Sequence, residues 1–509
     1  MKDRIHKHLV KPVHEMSSPN TNVSNYELVD ATLSPSKRED HHHDNDILPT
    51  LDLDDTLVEE SKEIDREIHY QGSIVRLYPL DPRNFLIQTQ IAVLLFVFTT
   101  LGLNDQATGM LIPILSETYG ISQVIIANIF LTQTFGYFSA CFLTEALHFK
   151  YGQRGCLSIA CLCIAIPSMI LFSKPPLFFI YVLCYYPIGL GIGLLDSSVN
   201  YIFSSFLCYK NELLGCVHGM YGICAFIAPI LINSLGEENW NNFFLVQGSV
   251  AVLGAVLCFY VFRYETKLKY EYKVKLSQSS QKSSSQEMNI SMFQMMKSYP
   301  LIPLYACALF FYMGAEVGTA SWIYTYLLEY KEGNSKYMSW IISAYWAGLT
   351  LGRFYFGMMI DKWFTNEYQA VKFFINSTML FTLSVVLLGG IYSHSAIYFT
   401  MFGVALFGCG MFIGPIFPLL SIIGIDILDE HVQVRGLSSA ISLGSIGAAF
   451  IPFLDGVLMN NLGLASLPCL ILASTVLCVI AIQLYPVLIK GKDHYFNSRP
   501  RSVSLSSNF

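Results

Sequence analysis

From residue 85 onward, long apolar runs alternate with short polar breaks. Twelve such runs stand out, at 85–113, 122–147, 155–173, 177–207, 213–235 and 241–263, then at 300–328, 336–360, 370–391, 396–424, 435–460 and 465–489. Each comes close to or exceeds the ~20 apolar residues that a helix needs to cross a bilayer. The predicted fold class is an all-α polytopic membrane protein, with twelve transmembrane helices in two six-helix halves. Residues 1–84 are polar and acidic, as in Arg38-Glu-Asp-His-His-His-Asp, and read as a disordered cytoplasmic tail. The run His41–His43 beside acids reads as a solvated low-complexity stretch rather than a metal site. With no apolar core at the extreme N-terminus, no cleavable signal peptide is expected. The N-terminal six-helix bundle is placed at 85–263 and the C-terminal bundle at 300–489, with a second cytoplasmic tail at 490–509. Between the bundles, 264–299 is rich in Lys, Ser and Gln, and its Ser279-Ser-Gln-Lys-Ser-Ser-Ser reads as a flexible linker.

Composition agrees and narrows the function classes. Charged residues are only 13% of the 509, against about 25% in ordinary soluble proteins, while 53% are hydrophobic. Mean hydropathy is +0.46. A soluble enzyme and a disordered scaffold are both disfavoured, and a net charge of -6 gives no basis for binding nucleic acid. Ten Lys and Arg residues lie from Lys2 to Arg83, and none between Arg83 and Lys150, Lys297 and Lys331, Lys372 and Arg435, or Arg435 and Lys490. All 13 cysteines fall from Cys141 to Cys478, nearly all inside apolar runs, so they read as small hydrophobic fillers. No disulfide framework, metal spacing or cofactor motif emerges.

Orientation follows from the basic loops. With the N-terminus inside, cytoplasmic loops hold Lys150, Arg154, Lys210, the linker lysines, Lys362, Lys372 and Arg435. The outside loops hold Lys174, Lys331 and Lys336. That arrangement obeys the positive-inside rule and puts both termini in the cytoplasm. The sequons at Asn22, Asn289 and Asn376 are then expected to stay unglycosylated.

The halves echo each other. Lys150-Tyr-Gly-Gln-Arg-Gly follows the second run, and Gly352-Arg-Phe-Tyr-Phe-Gly-Met-Met-Ile-Asp-Lys-Trp closes the eighth. This six-plus-six plan with matched loops resembles the major facilitator superfamily, whose loop carries a Gly, an acid four residues later, then a base. Gly357, Asp361 and Lys362 fit it. The first copy keeps Lys150, Gly152 and Arg154, but has Glu145 in place of the Gly and Phe149 in place of the acid. The resemblance implies a cytoplasmic gate at Gly357, Asp361, Lys362, Lys150 and Arg154. The plainer reading is a charged loop that only sets topology.

Carboxylates inside apolar runs are the sharpest candidates, because a charge there costs roughly a few kcal/mol unless it is paired or faces water. Asp105 lies in Gly102-Leu-Asn-Asp-Gln-Ala-Thr-Gly-Met. Gly102 and Gly109 are places where the helix can loosen, letting Asn104, Asp105, Gln106 and Thr108 face a cavity; the alternative is a solvated helix end. Asp196 lies in Gly189-Leu-Gly-Ile-Gly-Leu-Leu-Asp-Ser-Ser-Val-Asn, and Asn200 shares its helix face. Its alternative is structural glue. Glu316 lies in Phe311-Tyr-Met-Gly-Ala-Glu, with Trp322 and Tyr326 on nearby turns. These aromatics suit the apolar face of a sugar, or are ordinary packing. His218 in Val217-His-Gly-Met-Tyr-Gly either bonds substrate or a carboxylate, or is a satisfied structural His. Arg353 can pair with an acid, and Asp455 in the eleventh run has either a cavity or a capping role. No Walker loop and no catalytic grouping is visible, so neither an ATP-driven pump nor an enzyme is expected. What remains is a gradient-driven secondary transporter.

Four segments also resemble the L-fucose/proton symporter family and its eukaryotic sugar-transporter and fungal relatives: Leu103-Asn-Asp, the Gly-rich run leading to Asp196 and Asn200, Tyr312-Met-Gly-Ala-Glu with Ser321-Trp, and Gly352-Arg-Phe. The segment His218-Gly-Met-Tyr-Gly is similar to the eukaryotic branch. The resemblance implies substrate binding at Asp105 and proton coupling at Asp196, where the family carries Glu, one methylene longer. Glu316 stands where the bacterial symporters carry Gln, adding an ionisable group. The expected function is therefore proton-coupled uptake of a small neutral sugar-like solute by alternating access, with substrate bound by Asn104, Asp105, Asn200, Trp322 and Tyr326, and protons handled by Asp196, Glu316 and His218. Sodium is the alternative ion. The expected partners are a small-molecule substrate, the coupling ion and the lipid bilayer, with the monomer as the working unit and no nucleic acid. The plasma membrane is preferred over a vacuolar or other internal membrane. An exporter or antiporter of organic metabolites or drugs, and a nutrient sensor that barely transports, are the competing readings.

Overall fold

The computed structural model describes residues 66–78, 80, 83–206, 210–281, 292–428 and 430–489. Among them, ten helical stretches are long and apolar enough to cross a membrane. One of these, Gln123–Phe172, is 50 residues long, about twice what one crossing needs. It is interrupted at Gly152, whose φ is 73°, so it is two helices that meet at one residue. The 29-residue helix Ser335–Trp363 stands beside the ten.

The long helices are α1 Phe85–Tyr119, α2 128–151, α3 153–172, α4 Phe178–Ser204, α5 Lys210–Leu235 and α6 Asn242–Val261. The second half holds α7 Leu301–Thr325, α8 Ser335–Trp363 and α9 Glu367–Gly389. It continues with α10 Ala396–Ile413, carried on by Ile416–Ile427, and α11 Gly447–Leu462, preceded by Glu430–Ser445. It ends with α12 Leu467–Gln483. Several starts are capped by the residue types that cap best. Asn84 accepts from the Leu86 amide at 2.9 Å, Asn366 from Gln369 at 2.8 Å and Ser395 from Tyr398 at 3.2 Å. Gly120, at φ 63°, ends α1 in the left-handed conformation.

Within the first half, α2 packs along α4 and α3 on α6, while α1 lies against α5 and α6; in the second, α7 packs on α11 and α12, and α8 on α10. The halves meet along α5 and α8, α1 and α7, and α2 and α11. One end of the bundle carries the segment before α1 and the linker after α6; the other is the far side. There, Gln123 donates to Glu329 at 2.8 Å and the rings of Phe130 and Trp322 lie 6.4 Å apart, joining the halves.

Two expectations change. Within the stretch read as a disordered tail, Arg66–Tyr70 (β1) and Ser73–Leu77 (β2) form an antiparallel hairpin. Gln71 and Gly72 turn it with φ of 50° and 76°, the two positive values of the tight hairpin turn. Within the stretch read as a flexible linker, Lys267–Gln281 and Met292–Ser298 are helical. The hairpin and Lys267–Gln281 meet in one cluster. The Tyr78 hydroxyl donates to the Glu265 carboxylate, which also takes the Lys269 ammonium at 2.6 Å, and Gln90 of α1 donates to the Tyr78 oxygen at 3.0 Å. Buried polar groups that satisfy one another order the chain around them. His41–His43, Asn22 and Asn289 lie outside the described residues.

Candidate functional site

Helix α1 runs unbroken through Gly102 and Gly109, so these glycines do not loosen it. They serve close approach instead. A Cβ at Gly102 would strike the Tyr221 carbonyl of α5, and one at Gly109 would stand 2.7 Å from the Ser321 Cα of α7. Held this tightly, the polar residues of one stretch fan out to different helices. Asn104 donates to Gln133 of α2 at 3.2 Å and accepts from Gln247 of α6 at 3.2 Å. Asp105 accepts from Gln133 at 3.1 Å and from the Tyr221 hydroxyl at 3.0 Å. Gln106 accepts from the Trp346 indole of α8 and donates to the Ala320 carbonyl of α7 at 3.4 Å, thus crossing between the halves. Thr108 lies 3.4 Å from the Tyr185 hydroxyl of α4.

Asp196 sits on α4 and faces α2. It accepts from the Tyr137 hydroxyl at 2.6 Å and from Asn200, one turn along, at 2.8 Å. Gln133 and Tyr137 are themselves one turn apart on α2, so a single helix face holds both acids. That face is pressed onto α4 because Gly136, Gly189 and Gly193 remove the side chains that would separate the helices; a Cβ at Gly193 would stand 2.9 Å from the Tyr137 carbonyl. Asp105 and Asp196 are both half-buried and have neutral hydrogen-bond donors.

Glu316 of α7 is different, because it has a full cation. Arg353 of α8 donates to its two oxygens at 3.1 and 3.3 Å, and also reaches the Tyr312 hydroxyl at 3.3 Å and the Gly414 carbonyl of α10 at 3.3 Å. The pair ties three helices of the second half together. An Arg–carboxylate bond is charge-assisted and about twice as strong as a neutral one.

The other candidates are dispersed. His218 meets the Phe98 ring edge-on at 6.3 Å. Trp322 is fully buried on the far side, where its indole donates to the Pro452 carbonyl at 2.8 Å. Tyr326 is fully buried within the second half, stacked on Tyr330 at 5.3 Å, its hydroxyl 3.4 Å from the Gly389 carbonyl. Lys150 is exposed over the Tyr151 ring, and the Arg154 guanidinium lies 3.6 Å from the centre of the Phe259 ring of α6. Gly357 and Asp361 fall in α8, with side chains outside the described set, and Lys362 is exposed in its last turn. Sequence reasoning missed Gln133, Tyr137, Tyr221, Gln247 and Trp346. The available signal was the rarity of amides such as Gln133 and Gln247 deep in apolar runs.

With this geometry in place, comparison with known proteins gives a consistent result. The sequence model of the Major Facilitator Superfamily matches residues 94–452. A Saccharomyces cerevisiae protein named "Bypass of stop codon protein 6" is 37% identical over 445 residues, covering 85% of this chain and 89% of that one. The glucose/mannose transporter GlcP of Bacillus subtilis is 23% identical over 374 residues, covering 72% and 86%. Among solved structures, a POT family transporter in complex with 5-aminolevulinic acid superposes with a TM-score of 0.63 at 15% identity, covering 79% of this chain and 97% of that one. A D-xylose-proton symporter superposes with a TM-score of 0.62 at 10% identity, covering 78% and 97%.

Proposed function

The chain belongs to the major facilitator superfamily of transporters, and on that premise we propose that it takes up a small neutral, sugar-like solute together with protons. The observation that carries this reading is the pair of acids held by one face of α2: Gln133 on Asp105 and Tyr137 on Asp196. Around them stand Asn104, Gln106, Gln133, Gln247, Tyr221 and Trp346, whose amides, hydroxyl and indole are matched to the hydroxyl groups of a polyol. A carboxylate in this wall disfavours an anionic solute. The glucose/mannose transporter among the relatives and the xylose–proton symporter among the folds support the same class.

In this reading the hairpin end is cytoplasmic, as the basic loops require, and the far side faces out. The membrane is the plasma membrane. Solute binds at Asn104, Asp105 and Gln106, where hydroxyl groups replace the bonds these residues now make to Gln133, Tyr221 and Trp346. Asn200 orients Asp196 rather than touching solute. Asp196 takes the proton: protonation removes its charge, and the carboxyl then donates where it formerly only accepted, which changes its bonds to Tyr137 and Asn200. Gln133 and Tyr137 pass that change one turn along α2 to Asp105. Glu316, neutralised by Arg353, fixes α7, α8 and α10 as one body that rocks against the first half. Gly357, Asp361, Lys362, Lys150 and Arg154 form the cytoplasmic gate.

Purified protein in liposomes with a trapped pH dye tests this. A panel of hexoses, deoxyhexoses and unrelated metabolites is added outside. Solute-evoked internal acidification, lost in Asp105→Asn, is expected. Absence of acidification with every sugar overturns the reading in favour of a sodium-coupled carrier, an exporter or a sensor, and sugar uptake that requires a sodium gradient singles out the first.

A further inference from the structure

We infer that Asp455 is a second proton-binding site of this carrier, occupied while the far-side junction is closed and emptied when it opens. The inference rests on the proton-coupled reading above. Asp455 lies in α11 and is only 4% exposed. Its carboxylate rests directly on the backbone of α7, where a Cβ at Gly318 would stand 2.9 Å from Oδ2. Among the described residues, no donor and no cation reaches it. Its surroundings explain why. The Trp322 indole of α7 is already committed to the Pro452 carbonyl. Glu316, the one charged residue of α7, is bound to Arg353. Helix α12 carries no charged residue along its length. On α2, Glu145, His148, Lys150 and Tyr151 lie at its opposite end, Tyr137 is bound to Asp196, and Cys141 donates to the Tyr137 carbonyl.

An ionised carboxylate with neither donor nor cation is not kept in such a contact, whereas the neutral acid is. The same stretch of α11 is also where the halves close: a Cβ at Gly456, the next residue, would meet Trp322 at 2.8 Å and Ala127, just before α2, at 3.1 Å. Opening this junction brings water to Asp455, and hydration then favours the anion and frees the proton to the outside. Closing requires the proton back. Each closure therefore takes up one proton from the outside and the next opening returns it to the same side, so Asp455 makes closing of the junction proton-dependent without adding to the protons carried by Asp105 or Asp196, and its close fit against Gly318 is the means.

The test reads the junction without any solute. Spin labels go at Thr118, in the last turn of α1 at the far side, and at Asn461, near the far-side end of α11, both exposed, in protein whose native cysteines are replaced. In otherwise wild-type protein, the ratio of long to short distances is expected to rise with pH, by up to about tenfold per pH unit for a single proton. Asp455→Asn, which mimics the neutral acid, is expected to hold the short distance at every pH. Asp455→Ser, which also cannot titrate, provides the same readout if the Asn variant fails to fold. Loss of the pH response in every variant that folds supports the site. A wild-type response in either variant overturns the Asp455 assignment and leaves the carrier reading standing. No pH response in the unsubstituted protein also overturns the Asp455 assignment, while the carrier reading stands or falls on the acidification assay.

Discussion

Arg353 and Glu316 bind each other through one guanidinium nitrogen and both carboxylate oxygens, at 3.1 and 3.3 Å, between α8 and α7. Removing either partner leaves the other charge buried and uncompensated, at a cost on the order of 3–5 kcal/mol. Glu316→Gln and Arg353→Met are each expected to lower the thermal midpoint in detergent by many degrees. The double variant, with neither charge, is expected to recover much of the loss. A double-mutant cycle by thermal denaturation checks this, and additive losses would remove the pair's structural role.

The bridge across α2 makes a different demand. Tyr137→Phe keeps the ring but removes the hydroxyl that Asp196 holds at 2.6 Å, and Gln133→Leu removes the amide on Asp105. A hydrogen bond to a charged group is worth roughly 1.5–3 kcal/mol, about a tenfold to hundredfold change in an equilibrium. Tyr137→Phe is expected to move the pH profile of uptake while leaving apparent solute affinity nearly unchanged. Gln133→Leu is expected to weaken apparent affinity about tenfold or more. Equal effects of both variants on both quantities would mean that the two acids do not have separate roles.

How far the sequence reveals this arrangement depends on the interaction. Run length alone exposes the spans, because the bilayer core demands a minimum length whatever the packing. Asp105, Asp196 and Glu316 are legible for a related reason, since a carboxylate in hydrocarbon is expensive enough to need an explanation. Their partners are not legible. Gln133, Tyr137 and Tyr221 reach them across 28, 59 and 116 residues of sequence, and only the packing of α1, α2, α4 and α5 decides those pairings. The hairpin at Arg66–Leu77 is hidden by its acidic surroundings, as its order depends on Tyr78 meeting Glu265, 187 residues away. Trp322 and Tyr326 read equally well as ligands or packing. Their full burial, with each polar atom given to a backbone carbonyl, favours packing.

Gly152 is the single residue at which α2 gives way to α3. Its φ of 73° suits glycine, and a Cβ there would stand 2.6 Å from the Glu265 carbonyl and 2.5 Å from the Thr266 carbonyl carbon. Gly152→Ala therefore combines backbone strain with a backbone clash, at an expected cost of about 1–3 kcal/mol or more. Gly215→Ala, in α5 with nothing within 4 Å, is the control and is expected to be neutral or mildly stabilising. Thermal midpoints of the two variants in the same detergent check the contrast, and equal midpoints would sink it.

The cluster around Glu265 predicts a pH dependence with a definite sign. Burial alone would raise this carboxyl, but Lys273 and Lys269, with hydrogen bonds from Lys269 and Tyr78, outweigh it and hold it below its ordinary value of 4.5. A carboxyl with a depressed folded-state value contributes stability that is fully present above the unfolded value and is lost as pH falls through the folded one. The clamp between hairpin, α1 and linker helix is therefore at full strength at neutral pH and weakens only below 4.5. Hydrogen exchange of residues 66–77 and 267–281, corrected for the intrinsic pH dependence, is expected to show protection that is constant near neutrality and falls in that acid range. Glu265→Gln is expected to lower protection in both segments at neutral pH and to flatten the acid response. Tyr78→Phe keeps the ring that the Lys269 ammonium approaches at 3.6 Å and loses only the hydroxyl. It is expected to cost less than Glu265→Gln, about 1 kcal/mol. Protection in Glu265→Gln equal to that of the unsubstituted protein would show that the hairpin and linker are ordered by something other than this carboxylate.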